Sequence, residues 1–241
     1  MASRAALITG GSGGIGFAIA RALGQDDYAV TLSARRPDKL EHAAQSLRDE
    51  GIDVHVVPAN MADEEEITKL VEAHRERCGR LDVLVNNAGL GVGGAVADAE
   101  TKKLDLQLNV NLRAVYLLAR DAIPMLKEAG AEHGKALMVN TASYAGKSGQ
   151  GWLAAYSATK FGVVGLSQAL HKELSNDGIQ VTALCPGFVA TPMTDWIEGQ
   201  IPKDEMIQPE DIAEAVRFLL RTSRNCLIPE VQFVRPGDSE I

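Results

Sequence analysis

The sequence has little of what marks several protein classes. Three cysteines, Cys78, Cys185 and Cys226, are odd in number and far apart. They form no CxxC and no metal-ligand spacing, which argues against a disulfide scaffold or a zinc module and suits a reduced, cytoplasmic setting. None of the five histidines has a partner at ligand spacing, so no metal is expected. Positive charge is also short. Lys and Arg number 24 against 32 Asp and Glu, and the net charge of −8 argues against nucleic acid or an anionic membrane as partner. No apolar run approaches the ~20 residues of a membrane span. The chain enters a strand-like run at once, with no signal-peptide pattern. Repeats, low-complexity tracts and Pro/Ser-rich linkers are missing too, so residues 1–241 are expected to form one domain. The remaining composition, 46% hydrophobic and 23% charged, fits a globular chain long enough to bury a sizeable core.

Residues 5–9, AALIT, read as a strand buried on both faces. TGGSGGIG follows, then a helix with Ile15, Ile19 and Leu23 on one side. A glycine cluster between strand and helix is a context for nucleotide binding. Gly10, Gly14 and Gly16 let the backbone approach a pyrophosphate, and the helix start offers N–H groups and a positive dipole end. The next strand, 29–33, leads into Ala34, Arg35 and Arg36, with no acid at 33–36. An acid there would favour NAD; the two guanidiniums favour the 2′-phosphate of NADP, unless they are merely solvated before a helix starting at Pro37.

Further strands are expected at 53–58, 82–85, 134–141, 179–184 and 230–234, with helices between them. The alternation predicts an α/β fold of the doubly wound Rossmann type, a seven-stranded, mainly parallel sheet with helices on both faces. Asp63 and Glu66 form a plausible capping box for the third helix. Asn86 and Asn87, in the NNAG turn after the fourth strand, are expected to tie that turn to its neighbours, while small Ala88 and Gly89 leave room for a cofactor. A long helical region over 99–127 carries the stripe Leu104, Leu108, Val115 and Leu118, and Pro124 is expected to kink or interrupt it. Asn111 falls on that stripe, where it is either a satisfied core amide or the holder of a proton-relay water. Residues 188–207 mix Thr191, Met193, Trp196 and Ile201 with charges, which suits a mobile lid within 185–210.

The chemistry gathers in residues 140–160, NTASYAGKSGQGWLAAYSATK. Tyr156 and Lys160 are four apart on a helix and share a face, and a nearby ammonium is expected to lower the phenol pKa. Ser143 lies just past the fifth strand, where its hydroxyl could meet that phenol. Such a trio can give or take a proton at a carbonyl oxygen.

Taken together, TGGSGGIG, the NNAG turn, Asn111, Ser143 with Tyr156-x-x-x-Lys160, and Pro186-Gly187 with Thr191 resemble the compact branch of the short-chain dehydrogenase/reductase family, over nearly the whole chain. The resemblance implies Tyr156 as acid/base, Ser143 holding the substrate oxygen, Lys160 on the nicotinamide ribose and Asn111 on a relay water. It implies cofactor contacts at Gly10, Ser12, Gly14, Ile15, Gly16, Arg35, Arg36, Asn60, Met61, Asn87, Ala88, Gly89, Tyr156, Lys160, Pro186, Gly187, Val189 and Thr191. It also implies a homodimer or homotetramer. Asn60 stands where the family often has Asp, no basic residue lies within Gly11-Ser12-Gly13, and the C-terminal segment lacks the family's frequent GG. The expected activity is hydride transfer between NADP(H), favoured over NAD(H), and a small-molecule carbonyl or alcohol. The alternatives are a 3-oxoacyl carrier-protein reductase and a non-catalytic NADP(H)-binding sensor or scaffold.

Overall fold

A computed structural model describes residues 4–237. Seven strands, β1 (Arg4–Thr9), β2 (Tyr28–Ser33), β3 (Val54–Val56), β4 (Val83–Asn86), β5 (Ala136–Thr141), β6 (Ile179–Pro186) and β7 (Glu230–Phe233), form one sheet in the order β3-β2-β1-β4-β5-β6-β7. Every pairing is parallel. The helices are α1 (Gly14–Gln25), α2 (Pro37–Asp49), α3 (Glu64–Cys78), α4 (Thr101–Leu108), α5 (Ala114–His133), α6 (Ala154–Leu174) and α7 (Pro209–Arg221).

Side chains alternate across each strand, and the two faces are covered by different helices. Ile8, Val85 and Val139 pack with α1, α2 and α7. Leu7, Leu84, Met138 and Val181 pack with α3, α5 and α6. Parallel strands joined by helical crossovers need both faces covered, and the near-continuous apolar runs of β1, β4 and β6 follow from that. The strand order reverses between β1 and β4, which opens a crevice at their C-terminal ends.

Several sequence expectations are corrected here. Pro124 lies inside α5 and the helix runs on through it; buried Ala122, Met125 and Leu126 hold that turn against the core. The interruption comes earlier, as a π-helical turn at Asn109–Arg113. The N-terminal half of the expected stripe is not core: Leu104 and Leu108 are exposed, whereas Val115 and Leu118 are buried. Strand β5 starts at Ala136 rather than 134, because Gly134 takes the left-handed conformation that ends α5. Asp63 does cap α3, accepting from the backbone of Glu65 and Glu66, but the box is not reciprocal: the Glu66 carboxylate accepts from the Asn60 backbone N–H instead, at 2.7 Å.

Candidate active site

The floor of the crevice is built by hydrogen bonds between strand ends. The Thr9 hydroxyl accepts from the backbone N–H groups of Asn87 and Ala88, both at 3.1 Å. The Asn87 amide donates back to the Thr9 carbonyl and accepts from the Thr141 hydroxyl, so one side chain ties the ends of β1, β4 and β5. Asn86 donates to Asn140, which donates to Ser167 on α6. Gly16 packs α1 onto this turn, since a Cβ there would stand 2.5 Å from the Gly10 carbonyl oxygen. The structural role expected of the two asparagines is therefore what the geometry shows.

These ends border a cleft of ≈ 370 Å³. One end is formed by Gly10, Ser12, Gly13, Gly14 and Ile15 with Arg36 and Lys39; the other holds Ser143, Tyr156 and Lys160, with Pro186, Gly187, Val189, Thr191 and Met193 along the wall. Asn87, Ala88, Gly89 and Leu90 complete it. No side chain caps α1 and its first turn carries no acid, so its leading N–H groups and positive end face the cleft unopposed. Arg36 and Lys39 have no carboxylate within 4 Å among the described residues. An uncapped helix start beside two unpaired cations fits a dinucleotide bearing an extra phosphate. Lys39 was not anticipated from the sequence; it lies one helical turn beyond Arg36, and that spacing was the available signal. Arg35, by contrast, does not line the cleft, and neither do Asn60 and Met61. Met61 is buried with the α3 side of the core, and the Asn60 side chain accepts from the Ala62 backbone. Gly16 lies behind the wall.

At the other end, Ser143 sits where β5 turns into a short 3-10 turn, and its hydroxyl accepts from the Ala145 backbone at 3.1 Å. The same hydroxyl borders the cleft beside the Tyr156 phenol and favours its ionised form. Lys160, one turn on, is 4% exposed, and its ammonium lies 5.6 Å from the centre of the Tyr156 ring. It donates to the Thr141 carbonyl at 2.7 Å. Burial pushes the Lys160 pKa down to about 8. Burial also raises the Tyr156 pKa above its ordinary value, outweighing the opposite pull of the Ser143 hydroxyl. The expected lowering by Lys160 is thus overturned in this state: removal from water disfavours phenolate more than its neighbours favour it. A phenol held neutral is suited to giving a proton. Behind Ser143 the Cys185 thiol is fully buried and pushed up to about 12, chiefly by burial, which leaves it unreactive.

Asn111 is 1% exposed and does not line the cleft. Its amide donates to the Leu90 carbonyl at 2.8 Å and to the Thr159 hydroxyl at 3.2 Å, and its oxygen accepts from the Leu90 N–H at 2.9 Å. The π-helical turn aims this side chain at the backbone after the NNAG turn. The satisfied core amide is therefore what the structure shows of Asn111. Beyond it, a Cβ built on Gly89 would lie 3.4 Å from the Asn111 oxygen and 3.5 Å from the Lys160 nitrogen, so the missing side chain leaves a gap between two polar groups.

Among the described residues no group of three or more His, Cys, Asp or Glu could hold a metal ion. No helix among them is long and apolar enough to cross a membrane.

Comparison with known proteins agrees with this geometry. The short chain dehydrogenase family model matches residues 4–201. A Streptomyces coelicolor protein provisionally named a ketoacyl reductase is 38% identical over 239 residues, covering 90% of each chain. A variant of actinorhodin polyketide ketoreductase, solved with NADPH, superposes with a TM-score of 0.87 at 33% identity over 95% of each chain. The 3-ketoacyl-(acyl-carrier-protein) reductase of Brucella melitensis, solved with NADH, gives 0.88 at 32% over 98% of each chain. With the motifs, the sheet order and the family match in agreement, this chain belongs to the short-chain dehydrogenase family of oxidoreductases.

Proposed function

We propose that the protein is an NADPH-dependent ketoreductase that uses Tyr156 as its proton donor. The observation that carries this is the convergence of Ser143, Tyr156 and buried Lys160 at one end of a cleft whose other end presents Arg36, Lys39 and an uncapped helix. A bound nicotinamide dinucleotide supplies the hydride that reduces the carbonyl carbon. Ser143 and Tyr156 together hold the carbonyl oxygen, and Tyr156 gives it a proton. Lys160 keeps a positive charge beside the phenol, which favours the phenolate left behind. The gap at Gly89 is where a water would join Lys160 to Asn111 and renew that proton, which extends the Asn111 role from packing to relay.

The 2′-phosphate of NADP falls to Arg36 and Lys39, and the helix start takes the pyrophosphate. NADPH-bound actinorhodin ketoreductase supports that preference; the NADH-bound Brucella protein shows that the fold accepts either cofactor. Residues 185–210 act as the substrate lid. They hold a small apolar cluster of their own, Ile197, Ile201 and Met206 with Phe188 and Ala190, while Pro192, Met193 and Thr194 face the cleft. The molecule works as a homo-oligomer in the cytoplasm. Exposed Leu104, Leu108, Tyr116 and Phe161 on α4, α5 and α6 support self-association, since α4 and α6 pack together and these apolar side chains are left facing water. A sensor without turnover would have no use for a buried lysine beside a tyrosine that faces the cleft. Following NADPH and NADH absorbance across a panel of ketones and β-keto esters tests the proposal: reduction with NADPH preferred supports it, and cofactor binding without reduction of any carbonyl refutes it.

A further inference from the structure

We infer that the substrate reaches the cleft as a free apolar carbonyl compound, and not attached to an acidic carrier protein. This rests on the ketoreductase reading above and names its substrate class. The Brucella structure is named for a carrier-bound acyl substrate, so the distinction matters for what this chain reduces.

An acidic carrier needs a basic dock near the Ser143 end of the cleft. The sequence offers Lys102, Lys103, Arg113 and Arg120 as the loose candidate, and all four are already paired within the chain. Glu100 holds Lys102 at 2.8 Å and Lys103 at 2.6 Å. Glu64 holds Arg113 and also Arg120, the latter at 3.1 Å, and Asp121 takes Arg120 again at 2.7 Å. Lys147, on the loop after Ser143, is bound to Glu230 at 2.9 Å. Docking there would have to break these pairs.

The lid is charged the other way. Residues 185–210 contain five carboxylates and a single cation, Lys203. That cation is spent inside the lid, on Asp195 at 2.7 Å and on the Thr191 carbonyl. Glu198, Asp204 and Glu205 are exposed and have no cation within 4 Å among the described residues. A surface of one sign repels a macromolecule of the same sign over a screening length, while an uncharged small molecule feels almost nothing.

What the entrance does offer is apolar. Trp152 is 64% exposed and held in the left-handed region at φ 68°, which a tryptophan rarely adopts. Its indole lies on Gly93, where any Cβ would stand 2.4 Å from the ring, and its carbonyl accepts from the Gly94 N–H at 2.8 Å. The same loop carries Leu90 into the cleft and Gly91 across the Tyr156 ring. On the lid side, Met193 faces the cleft and Trp196 packs edge-on against Phe188 at 6.3 Å. Leu90, Val189 and Met193 give the substrate body an apolar wall, and the two indoles brace the loops behind it. A carrier-fed site would need only a channel for the acyl arm.

The test compares one acyl group, 3-oxobutanoyl, delivered as the N-acetylcysteamine thioester and on an acidic acyl carrier protein. At about 10 mM salt, kcat/KM should be at least tenfold higher for the free thioester. Raising salt to about 100 mM, which shortens screening from ~30 Å to ~10 Å, should speed the carrier-bound reaction at least threefold and leave the free one unchanged. Asp204→Lys with Glu205→Lys should raise the ratio of carrier-bound to free kcat/KM several-fold. A carrier-bound ester that is preferred, or whose rate falls with salt, overturns the inference. So does a slow carrier reaction that ignores both salt and charge reversal, because the discrimination would then not be electrostatic. Reduction of neither form, with NADPH still bound, defeats the ketoreductase reading itself and is told apart by the ketone panel.

Discussion

The Lys160 ammonium donates to the Thr141 carbonyl at 2.7 Å while lying 5.6 Å from the centre of the Tyr156 ring, so a cation is kept almost wholly out of water beside a half-buried phenol. Burial holds its pKa at about 8, below the ordinary value of 10.5. Between those pH values the unfolded chain binds the extra proton and the folded one does not. Stability therefore rises with pH from about 8 to 10.5, and the full cost is present below pH 8. The gap corresponds to about 3 kcal/mol. Lys160→Met removes that cost but strands the Thr141 carbonyl, which returns roughly 1–3 kcal/mol of it. At pH 7 the variant should melt no lower than the parent while losing reductase activity. A Tm that drops by 5 °C or more would show that the lysine stabilises this fold.

His74 gives a second pH dependence, remote from the cleft. The Arg80 carbonyl can only accept, so Nε2 carries the hydrogen at 2.9 Å, and Nδ1 accepts from the Thr31 hydroxyl at 2.7 Å. Burial lowers its pKa from 6.5 to about 4. As pH falls through this window the unfolded chain takes a proton that the folded chain refuses, and on the order of 3 kcal/mol is lost. His74→Gln should be less stable at pH 7 and should lose less between pH 6.5 and 4. Denaturant titrations at the two pH values check this; parallel losses in parent and variant contradict it.

Cofactor choice separates neighbouring arginines. Arg36 and Lys39 line the cleft and Arg35 does not. Arg36→Ala with Lys39→Ala should raise KM for NADPH tenfold to a hundredfold and change KM for NADH less than threefold. Arg35→Ala should leave both within twofold. A large NADPH effect from Arg35 alone would return the 2′-phosphate to the position the sequence first suggested.

The arginine pair shows where sequence reading stops. The seven strands and their parallel sheet followed from alternating apolar runs and helical periods, because buried parallel strands leave a strong compositional trace. Ser143, Tyr156 and Lys160 were legible because strand end and helical spacing fix their positions. Arg35 and Arg36 differ by one residue on an irregular turn, and composition carries no record of which one faces the crevice. The π-helical turn at Asn109–Arg113 and the exposure of Leu104 and Leu108 were hidden for a related reason. A helical stripe continues in sequence across a turn that redirects it in space.

That exposed stripe supplies a further prediction. Tyr116→Glu with Phe161→Glu places two charges among these exposed apolar side chains and should shift the molecule to a smaller species by light scattering, with the far-UV spectrum unchanged. An unchanged mass would mean that copies do not meet through Tyr116 and Phe161.

The most direct test of the account is Tyr156→Phe, which removes one oxygen and little else. NADPH affinity, read by fluorescence, should stay within about threefold, while kcat for every reduced ketone falls by roughly 10²- to 10⁴-fold, the range expected for a lost general acid. Turnover within tenfold of the parent, with NADPH bound normally, would contradict the assignment of the proton to this phenol.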